Sequence, residues 1–161
     1  MAAVLKSGRE GAKEKLSLDS AASHMLEECR MVLPGIQALF GFQLIAVFNQ
    51  GFSEKLAGSE QVAHLVALLL SAVAAALVMT PAAIHRYSEQ RHVSERFIRL
   101  CSALLVASMY PLALGLALDI YLICRIVLGS AALAAAVAGA LLALFLALWI
   151  VVPRHESRRP R

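Results

Sequence analysis

Four apolar segments, each more than about 20 residues long, restrict the possible folds of this chain more than any other feature. They cover residues 31–52, 62–84, 100–121 and 129–152. A helix of about 20 residues crosses the roughly 30 Å hydrocarbon layer of a bilayer, so each segment is long enough to span it. Lipid offers backbone amides no hydrogen-bond partner, which leaves helices or the strands of a closed barrel. Because the segments are continuously apolar and rich in Ala and Leu, we predict an all-α bundle of four transmembrane helices.

The composition favours a membrane protein over a soluble domain. Hydrophobic residues make up 60% of the 161 residues, charged residues make up 16%, and the mean hydropathy is +0.71. Soluble domains average about 45 to 50% apolar residues.

We predict one membrane domain at residues 20–152, a disordered tail at 1–19 and a basic tail at 153–161. No soluble segment is long enough to bury a core of its own, so we do not expect an enzyme.

The distribution of Lys and Arg predicts the orientation of the chain. Thirteen of the 15 lie before the first segment, between the second and third, or after the fourth. The other two, Lys55 and Arg125, lie in the two remaining connections. Because basic residues accumulate on the cytoplasmic side of membrane proteins, both termini are expected to be cytoplasmic. We expect a protein that crosses the cell membrane several times.

A short amphipathic helix is predicted on the cytoplasmic surface before the first span. Ser20 or Asp19 can serve as its N-cap. Its apolar residues at helical spacing are Met25, Leu26, Cys29 and Val32.

The central loop, residues 85–96, is basic with interspersed acids. We expect it to contact anionic lipid headgroups on the cytoplasmic side. Nucleic-acid binding is not expected, because the loop has neither a larger basic surface nor stacking aromatic residues.

His85 and His92 lack the further ligands that a metal site needs, so neither a metal nor another cofactor is expected. The cysteines form no CxxC pair and are interpreted as packing residues.

Asp119 is the only acidic residue inside the four apolar segments. It lies 20 residues after Arg99, about 30 Å along a helix, and therefore near the outer interface. Two interpretations remain open: Asp119 pairs with Arg125 or caps a helix end, or it binds a cation or proton with Arg125 as counter-ion. The candidate ion or polar site comprises Asn49, Gln50, His64, Asp119 and Arg125.

Small and amide residues in the spans predict helix packing. In the first span, Gln43 and Gln50 share a face and are expected to bond neighbouring helices. The fourth span has a small residue at every fourth position, which lets another backbone approach closely, either within the chain or between chains as a homo-oligomer. This ridge consists of Ala131, Ala135, Gly139, Ala143 and Ala147.

Residues 28–40 (ECRMVLPGIQALF), followed by Phe42, Phe48 and Phe52, and residues 80–86 (TPAAIHR) carry a family resemblance. They resemble an uncharacterised family of small bacterial four-helix membrane proteins, a domain of unknown function. The resemblance covers residues 26–153 approximately. Some members of that family carry a sodium/proton antiporter label, and the resemblance implies no catalytic or binding residues.

Several of the residues that carry this resemblance lie near the predicted cytoplasmic ends of the first two spans. If the protein is accessory, we expect Glu28 and Arg30, before Pro34, to form a ring with His85 and Arg86 that docks a partner or lipid headgroups. The sequence does not identify a protein partner. This candidate cytoplasmic motif comprises Glu28, Arg30, Pro34, Gly35, Gln37, Pro81, His85 and Arg86.

Two functions are predicted from the sequence. The first is an accessory or structural membrane protein that packs with other helices or with lipid. The alternative is an oligomeric cation or proton transporter or channel centred on Asp119. The chain has no acidic residue at the membrane midplane and no internal repeat, so a transport pathway would require several copies.

Overall fold

The computed structural model describes the backbone of residues 2–88 and 94–152, with their side chains except those of residues 2–17, 19 and 88. The predicted basic tail at 153–161 and His92 lie outside the described residues. Regular structure in the described ranges is entirely helical. The elements are α1 (Ala2–Val47), α2 (Gln50–Lys55), α3 (Gly58–Ser88), α4 (Glu95–Leu128), α5 (Ala131–Leu146) and a π-helical turn (Ala147–Val151) that continues α5.

Within residues 2–88 and 94–152, four helices are long and apolar enough to cross a membrane. They are Ser20–Val47, Gly58–Tyr87, Glu95–Leu128 and Ala131–Val151. The prediction of an all-α chain with four such helices is confirmed. At one end of the molecule, which we call the α2 end, α1 and α4 finish, α3 and α5 begin, and α2 connects α1 to α3. The opposite end, where α3 and α4 are joined, is called the α3–α4 end.

The N-terminal region differs from the predicted tail and separate surface helix. α1 is one continuous helix of 46 residues that begins at Ala2 and includes the first span. Residues 20–33 contain neither Gly nor Pro, so nothing in the sequence separates a surface helix from the span. At residues 2–19, where composition predicts disorder, the described backbone is helical.

The first span ends earlier than predicted. α1 stops at Val47, and Asn49 has the extended backbone of an N-cap. The side chain of Asn49 accepts the N–H of Gly51 at 3.0 Å and begins α2 there. Residues 50–52, predicted to belong to the span, are therefore part of α2 although the sequence remains apolar through Phe52.

Buried positions recur at seven-residue intervals on three of the helices. A seven-residue repeat over two helical turns corresponds to about 3.5 residues per turn. It is typical of helices that pack side by side with a slight left-handed supercoil. The series are Ala22, Cys29, Ile36 and Gln43 on α1; His64, Ser71 and Val78 with Ala67, Ala74 and Pro81 on α3; and Cys101, Ser108, Gly115 and Leu122 on α4.

α4 lies at the centre of the molecule and packs against α1, α3 and α5. The backbones of α4 and α3 come close together at Gly115, where a Cβ atom would lie 3.3 Å from the carbonyl oxygen of Ala67. Ser71, also at this contact, is fully buried. The α3–α4 contact therefore depends on small side chains that allow the two backbones to approach.

The small-residue ridge of the fourth span faces away from α4. Ala134 and Ala138 are the buried residues of α5, whereas every ridge residue from Ala131 to Ala147 is exposed. A Cβ at Gly139 would have no neighbour within 4 Å. The ridge therefore does not make the contact with α4, and its role between chains stays a prediction.

Candidate functional site

Asp119 forms a hydrogen bond with α1 inside the helical assembly. The residue lies nine positions before the end of α4, about 13 Å from that terminus. Its Oδ2 accepts a hydrogen bond from Gln43 Nε2 at 2.6 Å. Gln43 belongs to the buried seven-residue series of α1 and is only 4% exposed. This contact therefore joins α4 to α1 through a short bond to the only acidic residue in the predicted spans.

His64 brings α3 into the same cluster. Its Nε2 lies 2.9 Å from the backbone carbonyl oxygen of Gln43, and its Nδ1 lies 3.7 Å from Asp119 Oδ1. A carbonyl oxygen only accepts hydrogen bonds, so Nε2 must carry a hydrogen. Nδ1 of a neutral His64 is then an acceptor that faces a carboxylate oxygen. We call Gln43, His64 and Asp119 the polar triad.

α2 packs beside the polar triad. The Phe52 ring meets the His64 ring edge to face, with centroids 5.1 Å apart. Leu56, which follows α2, is buried and accepts a hydrogen bond at its carbonyl oxygen from Gln61 Nε2. The short α2 helix thus places an aromatic ring against the imidazole.

Arg125 is paired with Glu60 rather than with Asp119. Arg125 Nε lies 3.2 Å from Glu60 Oε1, and Arg125 Nη1 donates to the carbonyl oxygen of Gly129 at 3.1 Å. Glu60 Oε2 also accepts the N–H of Ala57. The Glu60–Arg125 pair joins the start of α3 to the end of α4, closer to the α2 end than Asp119 is.

A cavity of about 450 Å³ adjoins the polar triad. We call it the α2-end cavity; α1, α2, α3 and α4 all contribute to its wall. The wall is apolar except at the triad and a few residues of the α2 region. The lining residues are Leu39, Phe42, Gln43, Ala46, Asn49, Gly51, Phe52, Lys55, Leu56, His64, Asp119, Leu122, Ile123 and Ile126.

The structure brings together only part of the predicted polar site. His64 and Asp119 meet in the triad, Asn49 caps α2 and lines the cavity, and Gln50 is exposed. Gln43, expected only to bond neighbouring helices, lies at the centre of the cluster. The sequence does contain a signal for this position, because Gln43 continues the seven-residue spacing of Ala22, Cys29 and Ile36.

Two further residues of the site were missed by the sequence interpretation. Phe52 contacts His64, and Glu60 takes the guanidinium that was expected to neutralise Asp119. Neither role has a signal in the sequence, because each depends on how α2 and the start of α3 lie against α4.

A second cavity, of about 410 Å³, lies between α1 and α3 near the α3–α4 end. Arg30, His85 and Arg86 line it together with apolar residues that include Leu33 and Met79. His85 Nδ1 is buried and has no hydrogen-bond partner among the described residues. The His85 ring lies 5.8 Å from the Phe97 ring, measured between centroids.

The candidate cytoplasmic motif is only partly assembled. Arg30, His85 and Arg86 meet at the second cavity, and Pro81 is buried in the α3 packing series. The other four predicted members are exposed: Glu28, Pro34, Gly35 and Gln37. In the described part of the chain, no group of three or more His, Cys, Asp or Glu side chains is placed to hold a metal ion.

Comparison with known proteins yields one match. No match was found among curated proteins or among solved structures. The sequence profile of a family of unknown function, DUF6328, matches residues 10–153. The resemblance to an uncharacterised family is thereby confirmed. The chain belongs to this family of unknown function, DUF6328.

Proposed function

We propose that this protein is an accessory or structural protein of the bacterial inner membrane that packs with other helices or with lipid. Both termini are cytoplasmic in this proposal, and no residue is given a catalytic role. Four helices long and apolar enough to cross a membrane support the membrane location. The distribution of Lys and Arg supports the orientation.

The exposed ridge of α5 is the observation that carries this proposal. All five ridge residues, from Ala131 to Ala147, are exposed along the length of the helix, while Ala134 and Ala138 pack inside the molecule. Small residues at four-residue spacing allow two helix backbones to approach closely in lipid, where van der Waals contact drives association. We therefore propose that α5 associates with a second copy of the chain.

Sedimentation equilibrium in density-matched detergent micelles tests this association. Gly139→Leu places a large side chain on the ridge and should convert an oligomer to a monomer. Ala136→Leu is the matched control, because Ala136 is exposed on α5 but lies off the ridge. A wild-type protein that is already monomeric, or an oligomer that Gly139→Leu leaves intact, would contradict the proposal.

Anionic lipid headgroups are the proposed partner at the α3–α4 end. Arg30 and Arg86 line the second cavity beside apolar residues, which suits a phosphate with attached acyl chains. The protein in phosphatidylglycerol nanodiscs should retain this lipid when exchanged into phosphatidylcholine, as measured by mass spectrometry of bound lipid. Arg30→Gln should lose the retained lipid, whereas Arg99→Gln should not, because exposed Arg99 lies outside the cavity. Equal retention by both variants would contradict the assignment.

A second candidate function is an oligomeric cation or proton transporter or channel centred on Asp119. The observation that favours it is the contact of Asp119 with His64. With Asp119 ionised and His64 neutral, two acceptor atoms face each other at 3.7 Å, and a proton or cation between them removes the repulsion. Such a cluster in a membrane helix is the usual chemistry of proton-coupled transport.

Ion flux in proteoliposomes separates this candidate from the accessory role. Imposed proton and sodium gradients should drive flux through the wild-type protein but not through Asp119→Asn. Flux equal to that of empty liposomes would reject transport and leave the accessory role in place.

A further inference from the structure

We infer that the α2-end cavity binds a lipophilic primary amine, an ammonium group attached to a small apolar body. The ligand's ammonium would lie at the polar triad and its apolar body against the cavity wall. This inference concerns ligand recognition and holds whether the protein is accessory or transports ions.

The polar triad contains more hydrogen-bond acceptors than the bonds within it satisfy. Gln43 Nε2 donates to Asp119 Oδ2, and His64 Nε2 donates to the carbonyl oxygen of Gln43. Gln43 Oε1 is buried and has no hydrogen-bond partner among the described residues. A buried acceptor without a partner is unfavourable, so a ligand that donates hydrogen bonds is favoured here.

The number of available acceptors fits a primary ammonium. Gln43 Oε1, Asp119 Oδ1 and Nδ1 of a neutral His64 make three, and all three residues line the cavity. A primary ammonium carries three N–H donors and no acceptor. A carboxylate or phosphate ligand would instead place further acceptors and a second negative charge beside the Asp119 carboxylate.

The charges around the cavity also favour a cationic ligand. Asp119 is the only acidic residue among the lining residues, and its side chain is 15% exposed. Arg125, the nearest guanidinium expected from the sequence, is paired with Glu60. Lys55 is the one cationic lining residue, and its side chain is exposed. With His64 neutral, the carboxylate of Asp119 is therefore left for a cation supplied by the ligand.

The rest of the wall requires an apolar body. Leu39 and Phe42 of α1 line the cavity, as do Leu122 and Ile123 of α4. Phe42 is 73% exposed and Ile123 is 56% exposed. The cavity therefore opens sideways between α1 and α4, on the surface of the helical assembly that would contact lipid in a membrane. Together with Phe52, the Phe42 ring adds a surface that attracts cations. A volume of about 450 Å³ accommodates a small aromatic or alkyl amine.

Isothermal titration calorimetry with the full chain in phosphatidylcholine nanodiscs tests the inference. The probes are benzylammonium, benzyl alcohol and benzoate, which share a body and differ in the head, and empty nanodiscs supply the baseline. Benzylammonium should bind saturably, and the other two should bind at least tenfold more weakly. Equal binding of the alcohol, preferred binding of benzoate, or no saturable binding of the amine would overturn the inference.

Two pairs of variants locate the site. Asp119→Asn keeps an acceptor for Gln43 Nε2 but removes the charge, and it should weaken benzylammonium binding at least tenfold. Glu95→Gln removes an exposed carboxylate near the α3–α4 end and should leave binding unchanged. Ala46→Phe fills the cavity without changing charge and should abolish binding, whereas Leu44→Phe, outside the lining, should not. Binding that survives both Asp119→Asn and Ala46→Phe would place the amine elsewhere and overturn the inference.

Discussion

At the residue scale, Gln43 holds the polar triad together because it contacts both other members. Its side-chain amide donates to Asp119 at 2.6 Å, and its backbone carbonyl fixes the hydrogen of His64 on Nε2. Arg125, the residue expected to neutralise Asp119, is bonded to Glu60. The local environment of Asp119 is thus set by a neutral amide and an imidazole rather than by a guanidinium.

Replacing Gln43 by Leu should destabilise the protein. The substitution removes the donor to Asp119 and leaves a partly buried carboxyl without that hydrogen bond, at a cost of about 1 to 3 kcal/mol in the free energy of unfolding. Unfolding in mixed SDS micelles, followed by far-UV circular dichroism, measures the difference.

Gln37→Leu is the matched control for this substitution. Gln37 lies on the same helix but is exposed, so its replacement should change the free energy of unfolding by less than about 0.5 kcal/mol. Equal effects of the two substitutions would show that the contact between Gln43 and Asp119 contributes nothing specific.

At the scale of the elements, the helices are positioned by two kinds of feature. Seven-residue series of buried side chains set which faces of α1, α3 and α4 meet. Capping residues set where the helices begin: Asn49 starts α2, Ser94 starts α4 by accepting the N–H of Phe97, and Ser130 starts α5. Between α4 and α5, Gly129 adopts a left-handed conformation with φ of 65°, which permits the tight connection.

Enlarging Gly115 should separate α3 from α4. A Cβ at this position would already lie 3.3 Å from the Ala67 carbonyl oxygen, so Gly115→Leu overpacks a contact between two backbones. We expect a loss of about 1 to 3 kcal/mol in the free energy of unfolding, measured by the same SDS titration.

Gly35→Leu controls for the loss of a helical glycine. A Cβ at Gly35 would have no neighbour within 4 Å, so this variant should be as stable as the wild type or slightly more stable. If Gly115→Leu behaved in the same way, α3 and α4 would not approach each other as closely as the structure shows.

At the scale of the whole molecule, an even number of crossings places both termini on one side of a membrane. The predicted loops on that side contain thirteen of the 15 Lys and Arg residues. In the proposed orientation, the α2 end, with Lys55 and Arg125, faces the outside. The α2-end cavity would lie near the outer interface, and the second cavity near the cytoplasmic interface.

Reporter fusions test this orientation. Alkaline phosphatase is active only outside the cytoplasm, so a fusion after residue 161 should be inactive and a fusion after residue 57 should be active. Green fluorescent protein fused at the same positions should give the opposite pattern. Active phosphatase at residue 161 would mean an odd number of crossings or an inverted chain.

The helical class, the number of helices long enough to cross a membrane and the family could all be predicted from the amino-acid sequence. Apolar length is a local property, so residues 62–84 and 100–121 can be recognised without knowing their neighbours. Asp119 stands out for the same reason, because it is the only acidic residue in those segments. The end of the first span was harder to place, because Asn49 interrupts a sequence that stays apolar through Phe52.

The pairing of the polar groups, by contrast, is visible only once the helices are packed together. The partner of Asp119 is Gln43, 76 positions earlier in the chain, and the partner of Arg125 is Glu60. The structure also decided that α5 packs through Ala134 and Ala138 and leaves its small-residue ridge exposed. These contacts depend on the rotation and register of one helix against another. Packing along whole helices sets that geometry, and the residue pattern of a single helix does not contain it.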